Sequence, residues 1–475
     1  MEEIRRGKLY EDIAEKVALL IERGILAPGD RIPSIRDMSR DLGVSINTVK
    51  ESYWYLENKN YIEAVPQSGY YVRHQAQKRI DTPHEPDLNP REVSLCRIYS
   101  AFKEKGGCGP STELGVALVA NSLWPSGKLY RYFQEALRQH NNEALDYCMV
   151  PGLRQLREQI ALYLVRSGLS VAPNDIIITS GCSEAIFLAL SSICAPGDTV
   201  VVESPCYFNL LLLCERLNLQ VVEVPLAPEG MHLETLEFVL DTYPVKAVIS
   251  IPSFQNPTGI LMSDTKKERL VRILESREIP LIEDEVYSEI HYSAKSPIAC
   301  KSFDRTGNVL FCSSFSKTIA PGMRVGWIVP GKYYRDIEEL KNLVNLGTPA
   351  LAQMAIARYL ADGSHERHLK KLRGQLERYM KEMRGAVLEH FPEGTRVSEP
   401  QGGFVLWVEM PQKVDSLRLY HEMLEHNIIL APGSMFSMNS KFNNYMRLNA
   451  GNWNRQIHDL VALIGARVKE MAAAE

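Results

Sequence analysis

The chain has 475 residues, 45% hydrophobic and 24% charged, with a formal net charge of −4; this exceeds one ordinary domain and leaves ample apolar material for a core. The slight negative charge excludes a general attraction to nucleic acid, so any contact with DNA must come from a local surface. The nine cysteines are scattered, odd in number and without a C-x-x-C pair or Cys/His cluster, which argues for reduced thiols and against disulfides or a metal site. No secretory signal opens the sequence and no apolar run approaches a membrane span. A soluble, cytoplasmic protein without a metal centre is expected.

Residues 8–23 carry Leu9, Ile13, Val17, Leu20 and Ile21 at helical spacing, followed by a turn at 24–30. Ser34 is placed as the N-cap of a second helix, with Asp37 at the capping-box position and Ile35, Met38 and Leu42 as the inner face. Gly43 ends that helix. Ser45 caps a third, with Ile46, Val49, Tyr53 and Leu56 inward and Asn47, Thr48, Lys50 and Glu51 outward. Residues 61–65 and 70–73, around a turn at 66–69, predict a two-stranded wing, completing a winged helix-turn-helix. Pro28-Gly-Asp-Arg-Ile-Pro-Ser-Ile-Arg36, Val44-Ser-Ile-Asn-Thr-Val49 and Gln67-Ser-Gly-Tyr-Tyr-Val72 resemble the GntR-type DNA-binding domain, over nearly all of residues 6–74. The resemblance implies that Arg31, Ser34 and Arg36 contact phosphates or bases of double-stranded operator DNA. Ser45, Asn47, Thr48 and Lys50 then face the major groove, and Gly69 lies at the wing tip near the minor groove. Residues 1–75 hold 11 Lys and Arg against 12 Asp and Glu, short of the basic footprint of a strong DNA binder. That balance predicts modest affinity for a single copy and a need for dimerisation.

Residues 75–92 are polar, with Pro83, Pro86 and Pro90 spaced to resist helix and sheet, and read as a semi-rigid linker. A third region, 93–475, begins with a short predicted helix at 93–105. Gly106-Gly-Cys-Gly109 is a plain loop, since no strand precedes it and no G-x-x-x-x-G-K follows.

Strands are then predicted at 176–179, 199–203, 219–224, 247–251, 280–284, 309–313 and 324–329, alternating with helical stretches. This is an α/β fold with a mostly parallel sheet; a smaller α/β part runs from about 345 to the end, with a strand at 403–408. Five strands run into polar segments. Lys317 has small hydroxyl residues beside it and Arg324 seven positions later, a setting for a lysine that carries an aldehyde cofactor as a Schiff base. Such an amine must be neutral, so its pKa has to be lowered by burial or a neighbouring cation. The other segments supply what pyridoxal 5'-phosphate needs. Asp284 provides a carboxylate for the ring nitrogen, Asn256 and Tyr287 reach the phenolic oxygen, and Tyr207 offers an aromatic face. Gly181, Cys182 and Ser183 open a helix whose free amides make a phosphate site, joined by Ser314, Ser316 and Arg324. Ligands of open α/β sheets bind at this strand edge.

On these motifs, residues from about 115 to 470 resemble a fold-type I, class I/II aminotransferase. The resemblance implies that Lys317 is the catalytic, cofactor-bearing lysine and gives the other residues the roles just named. It also implies that Arg447, in Tyr445-Met-Arg-Leu-Asn449, grips a substrate or effector carboxylate with its bidentate fork. A GntR-type winged helix joined to such a domain is the layout of the MocR subfamily of transcription regulators, and the whole chain resembles it. That implies a head-to-tail homodimer sensing pyridoxal phosphate or a small amino compound. The alternative is a working aminotransferase with a DNA-binding appendage.

Overall fold

The structure, a computed structural model, describes residues 13–18, 29–58, 61–65, 68–72, 88–93 and 112–473, with 10, 20, 21 and 26. The expected helix at 93–105, the glycine loop at 106–109 and most of the linker lie outside the described residues. The chain divides into two compact units, Met1–Arg79 and Ile80–Glu475.

In the first unit, helices at 13–18, Ile35–Leu42 and Ile46–Asn58 precede an antiparallel hairpin, Ile62–Val65 with Gly69–Val72. Ser34 caps the second helix and Gly43 ends it. The Ser45 hydroxyl accepts the Thr48 amide at 3.1 Å. Ala14, Val17, Ile21, Ile32, Val49, Tyr53, Leu56, Ile62 and Val72 form one core. Two positions expected inside are not: Leu42 and Ile46 are 45% and 53% exposed. Leu42 and Ile46 end one helix and begin the next across the Gly43 turn, a corner that so small a unit leaves in solvent.

The second unit is built on a nine-stranded sheet. Strands Gln220–Ala227, Thr199–Ser204, Val245–Ser250, Leu281–Asp284 and Val309–Ser314 lie side by side and parallel. Gly326–Val329 runs antiparallel to Val309–Ser314, and Ile177–Thr179 antiparallel to it in turn, so Ile177–Thr179 shares the direction of the five. Thr199–Ser204 and Val309–Ser314 are buried at every position, as a sheet covered on both faces requires. The carboxyl ends of six strands therefore meet at one edge.

A second sheet of four antiparallel strands, Arg396–Val397, Val405–Glu409, Tyr445–Asn449 and Ala431–Pro432, belongs to the smaller part. Its core runs from Met380 to Met471 and takes in Leu114. The helix Ala350–Ala361 instead packs with Leu129, Leu156 and Trp327 beside the large sheet. Residues beyond 345 are thus shared between two cores. Among the described residues no helix is long and apolar enough to cross a membrane, and the described cysteines are free thiols.

Candidate functional site

Lys317 lies just past the strand Val309–Ser314, in a turn anchored by Phe315, which is buried against Tyr163 and Trp327. Its Nζ donates to the Ala117 carbonyl at 2.7 Å and sits 5.9 Å from the Tyr287 ring centroid. Burial holds the amine down to about 8, with Arg447 and Arg324 adding to the effect and Asp284 opposing it. A lysine so placed is partly neutral near physiological pH.

Asp284 ends its strand with its carboxylate buried, where Oδ1 accepts the Cys182 thiol at 3.4 Å and the Val286 amide at 3.3 Å. Burial raises its pKa to about 6. The Cys182 side chain is therefore turned to Asp284, although its residue opens the helix Cys182–Ile193. That helix starts at Gly181, which has φ +96° and gives no side-chain cap. A side chain at Gly181 would run into the Arg324 guanidinium, whose Nη2 donates to the Ser180 carbonyl at 2.7 Å. Ser183 and Arg324 are exposed, Ser316 half-buried and Ser314 buried, and the Ser316 amide points to Ser314 Oγ at 3.4 Å. Tyr207 is half-buried at the start of the helix Phe208–Arg216.

Asn256 joins Tyr287 to Arg447. Its Nδ2 donates to the Tyr287 hydroxyl at 3.3 Å, and its Oδ1 accepts Arg447 Nη1 at 2.7 Å. Arg447 Nη2 donates to the Gly115 carbonyl, and its buried Nε has no hydrogen-bond partner among the described residues. The guanidinium carbon lies 5.0 Å from the Phe436 ring and 5.9 Å from that of Phe208.

Sequence reasoning missed the segment 112–120, whose Gly115 and Ala117 carbonyls meet both Arg447 and Lys317. It is tied to the smaller part by pairing of Thr112–Glu113 with Ile428–Ile429 and by the Asn449 side chain on the Leu118 carbonyl. Gly115 has no room for a β-carbon, which would overlap the Leu430 backbone. It also missed a brace between two site loops. Buried Glu203 accepts the Ser250 hydroxyl at 2.5 Å and the Ile251 amide at 3.2 Å, while Gln255 Nε2 donates to the Pro205 carbonyl at 2.8 Å.

In the first unit, Arg31, Arg36, Asn47 and Lys50 are exposed and Thr48 and Gly69 half-buried. Arg31 pairs with Tyr71 of the wing, and its guanidinium lies beside Gly69. The hydroxyls of Ser34 and Ser45 are engaged in capping.

Residues 124–464 match the family described as aminotransferase class I and II, and residues 9–72 match the bacterial regulatory proteins of the gntR family. The HTH-type transcriptional regulator YdcR of Escherichia coli (strain K12), named as uncharacterized, is 35% identical over 98% of this chain and 99% of its own. YjiR of the same strain, named likewise, is 35% identical over 93% and 94%. Pyrococcus horikoshii kynurenine aminotransferase, solved in complex with PMP, matches with TM-score 0.73 and 29% identity, over 81% of this chain and 96% of that one.

Proposed function

The chain belongs to the class I and II aminotransferase family, with a gntR-family domain ahead of it as in the MocR subfamily, and from that premise we propose a DNA-binding transcription regulator whose large unit holds pyridoxal phosphate and reads an amino compound bearing a carboxylate. One observation carries the reading: the line Arg447 to Asn256 to Tyr287 joins a buried guanidinium to groups beside Lys317.

The residues fit the cofactor. Asp284 is a buried carboxylate held up to about 6, so a cationic ring nitrogen would favour its charged form. Asn256 and Tyr287 suit a phenolic oxygen, and Tyr207 a ring face. Gly181, Cys182 and Ser183 at a helix start, with Ser314, Ser316 and Arg324, suit a phosphate. The unpartnered Nε of Arg447 suits one more acceptor, as a carboxylate supplies. Pyridoxal phosphate, when bound, brings an aldehyde that condenses with amines and a ring that draws off electrons.

Within that chemistry Lys317 offers a neutral amine and, near neutral pH, accepts or returns a proton at Nζ. Asp284 keeps the ring nitrogen protonated. Arg447 selects amines that also carry a carboxylate. Dimerisation, head to tail, compensates for the near-neutral winged unit by letting two copies grip the operator. A ligand changes that grip only by its differential affinity for the two arrangements.

Operator titration with and without pyridoxal phosphate, then with a panel of amino acids, tests the reading. Coupling of about 1–3 kcal/mol is expected, roughly 5- to 150-fold in affinity, and the operator must change ligand affinity by the same factor. DNA affinity indifferent to every ligand, with brisk turnover of an amino acid and a 2-oxo acid, would establish the aminotransferase reading instead.

A further inference from the structure

We propose that Glu389, His390 and His458 form a site for a divalent transition-metal ion of the zinc, nickel and copper class. The cysteine pattern gave no hint of a metal, and the two histidines are far apart in sequence. Folding brings them together: Glu389 and His390 end the 27-residue helix Ser364–His390, and His458 lies in the first turn of Arg455–Ala473. One ligand atom from each of the three lies within 4.8 Å of the others. The imidazoles face each other edge to face, with centroids 5.3 Å apart.

Three features argue for a built site. Among the described residues the buried His390 Nε2 has no hydrogen-bond partner, an arrangement that costs free energy unless something binds there. The site lies at the carboxyl end of a long helix, where the unpaired carbonyls favour positive charge. The juxtaposition is also enforced by packing. A β-carbon at Gly465 would come within 2.6 Å of the His390 carbonyl oxygen, so the glycine lets the C-terminal helix close on the end of its neighbour. Trp453 flanks His458 at 5.9 Å, and Asp459 Oδ1 lies 3.4 Å from His458 Nδ1.

Two imidazoles with one carboxylate suit borderline cations rather than magnesium or calcium. Metal–ligand bonds of about 2.0–2.1 Å set tetrahedral ligands about 3.4 Å apart, a contraction that rotation of the exposed Glu389 side chain helps to supply. Three protein ligands leave a fourth position for water. The ion would staple two helices of the smaller part.

The test uses untagged full-length protein, stripped with chelator and titrated with Zn2+ by calorimetry, with Cu2+ electron paramagnetic resonance to count nitrogen ligands. One equivalent should bind through two nitrogens and raise the unfolding temperature. His458→Ala and Glu389→Ala should each weaken that equivalent by more than the ~10- to 100-fold cost of losing an outer partner of a ligand. Both should keep the metal-free unfolding temperature. His390→Ala should do the same, and if it misfolds the other two variants decide. Absence of a one-equivalent event, or binding of equal affinity in the His458 and Glu389 variants, overturns the proposal.

Discussion

Around Lys317 the buried Asn256 and Arg447, like Lys317 itself, bond to partners 191 to 332 residues away in the chain. In the winged unit Ser34 and Ser45 are exposed and bonded to residues three positions on. The first arrangement exists only when the whole fold does, and every member leans on the others. The second is assembled turn by turn, and each member can be lost alone. Substitutions in the two regions should therefore differ in size and in kind. Damage near Lys317 should be large and specific to ligand, and damage in the winged unit small and spread over stability and DNA affinity.

The largest effect tests the first region at its centre. Lys317→Ala is expected to abolish covalent fixation of pyridoxal phosphate by borohydride, while operator binding survives and loses its response to ligand. In the parent protein, cofactor capture should rise with pH through a midpoint near 8 and level off above it, because only the neutral amine reacts and burial sets its pKa there. An ordinary lysine would keep gaining reactivity well beyond that point. A profile still climbing at pH 10, or fixation undiminished in the variant, would move the reactive amine elsewhere.

Asp284→Asn comes next. A neutral amide cannot hold a ring proton, and breaking a buried charge pair costs roughly 3–5 kcal/mol. Cofactor titration should show that loss with an unchanged fold. The raised pKa of Asp284, about 6, also predicts that the free carboxylate is partly protonated in mild acid. Cofactor affinity should then fall as pH drops through 6, since protonation removes the charge that the ring nitrogen would meet. Equal affinity of the variant and parent across that range would leave Asp284 as a structural acid.

Gly115→Ala should be smaller and more diagnostic. Its β-carbon overlaps the Leu430 backbone, and relieving such overpacking costs about 1–3 kcal/mol. The segment 112–120 must shift, and with it the carbonyl on Arg447. Simple amines should bind as before, whereas amines bearing a carboxylate should change in affinity. Equal changes for both would mean the segment is only scaffolding.

The same contrast explains what the sequence revealed. Lys317, Asp284, Asn256 and Tyr207 were legible because each follows an apolar run, and the runs proved to be strands whose carboxyl ends share an edge. Ser34 and Gly43 were legible because caps are local chemistry. The carbonyls of Gly115 and Ala117 were not, since every residue has a carbonyl and only the closed fold shows which ones meet a cation. Leu42 and Ile46 misled for a related reason: periodicity gives the face of a helix but not how far its partner extends. The turn of the Cys182 thiol toward Asp284 likewise depends on a helix start and a strand end 102 residues apart.

Ser34 offers the finest cut. Its hydroxyl accepts the Asp37 amide at 3.2 Å and donates to the Asp37 carboxylate at 2.6 Å, which holds that carboxyl below its ordinary range. Replacing a capping serine by alanine costs about 1 kcal/mol, so Ser34→Ala should lower the stability of the winged unit slightly and DNA affinity with it. That result alone cannot tell a cap from a DNA contact. Ser34→Asp made on an Asp37→Asn parent can, because aspartate caps about as well as serine and then meets no second carboxylate there, but brings a negative charge to a surface proposed to face phosphates. The expected outcome is parent-like unfolding of the winged unit with clearly weaker operator binding, most marked at low salt, where phosphate contacts weigh most. If Ser34→Asp binds operator like the parent at every salt concentration, Ser34 does nothing but cap, and the DNA-facing surface lies instead with Arg36, Asn47 and Lys50.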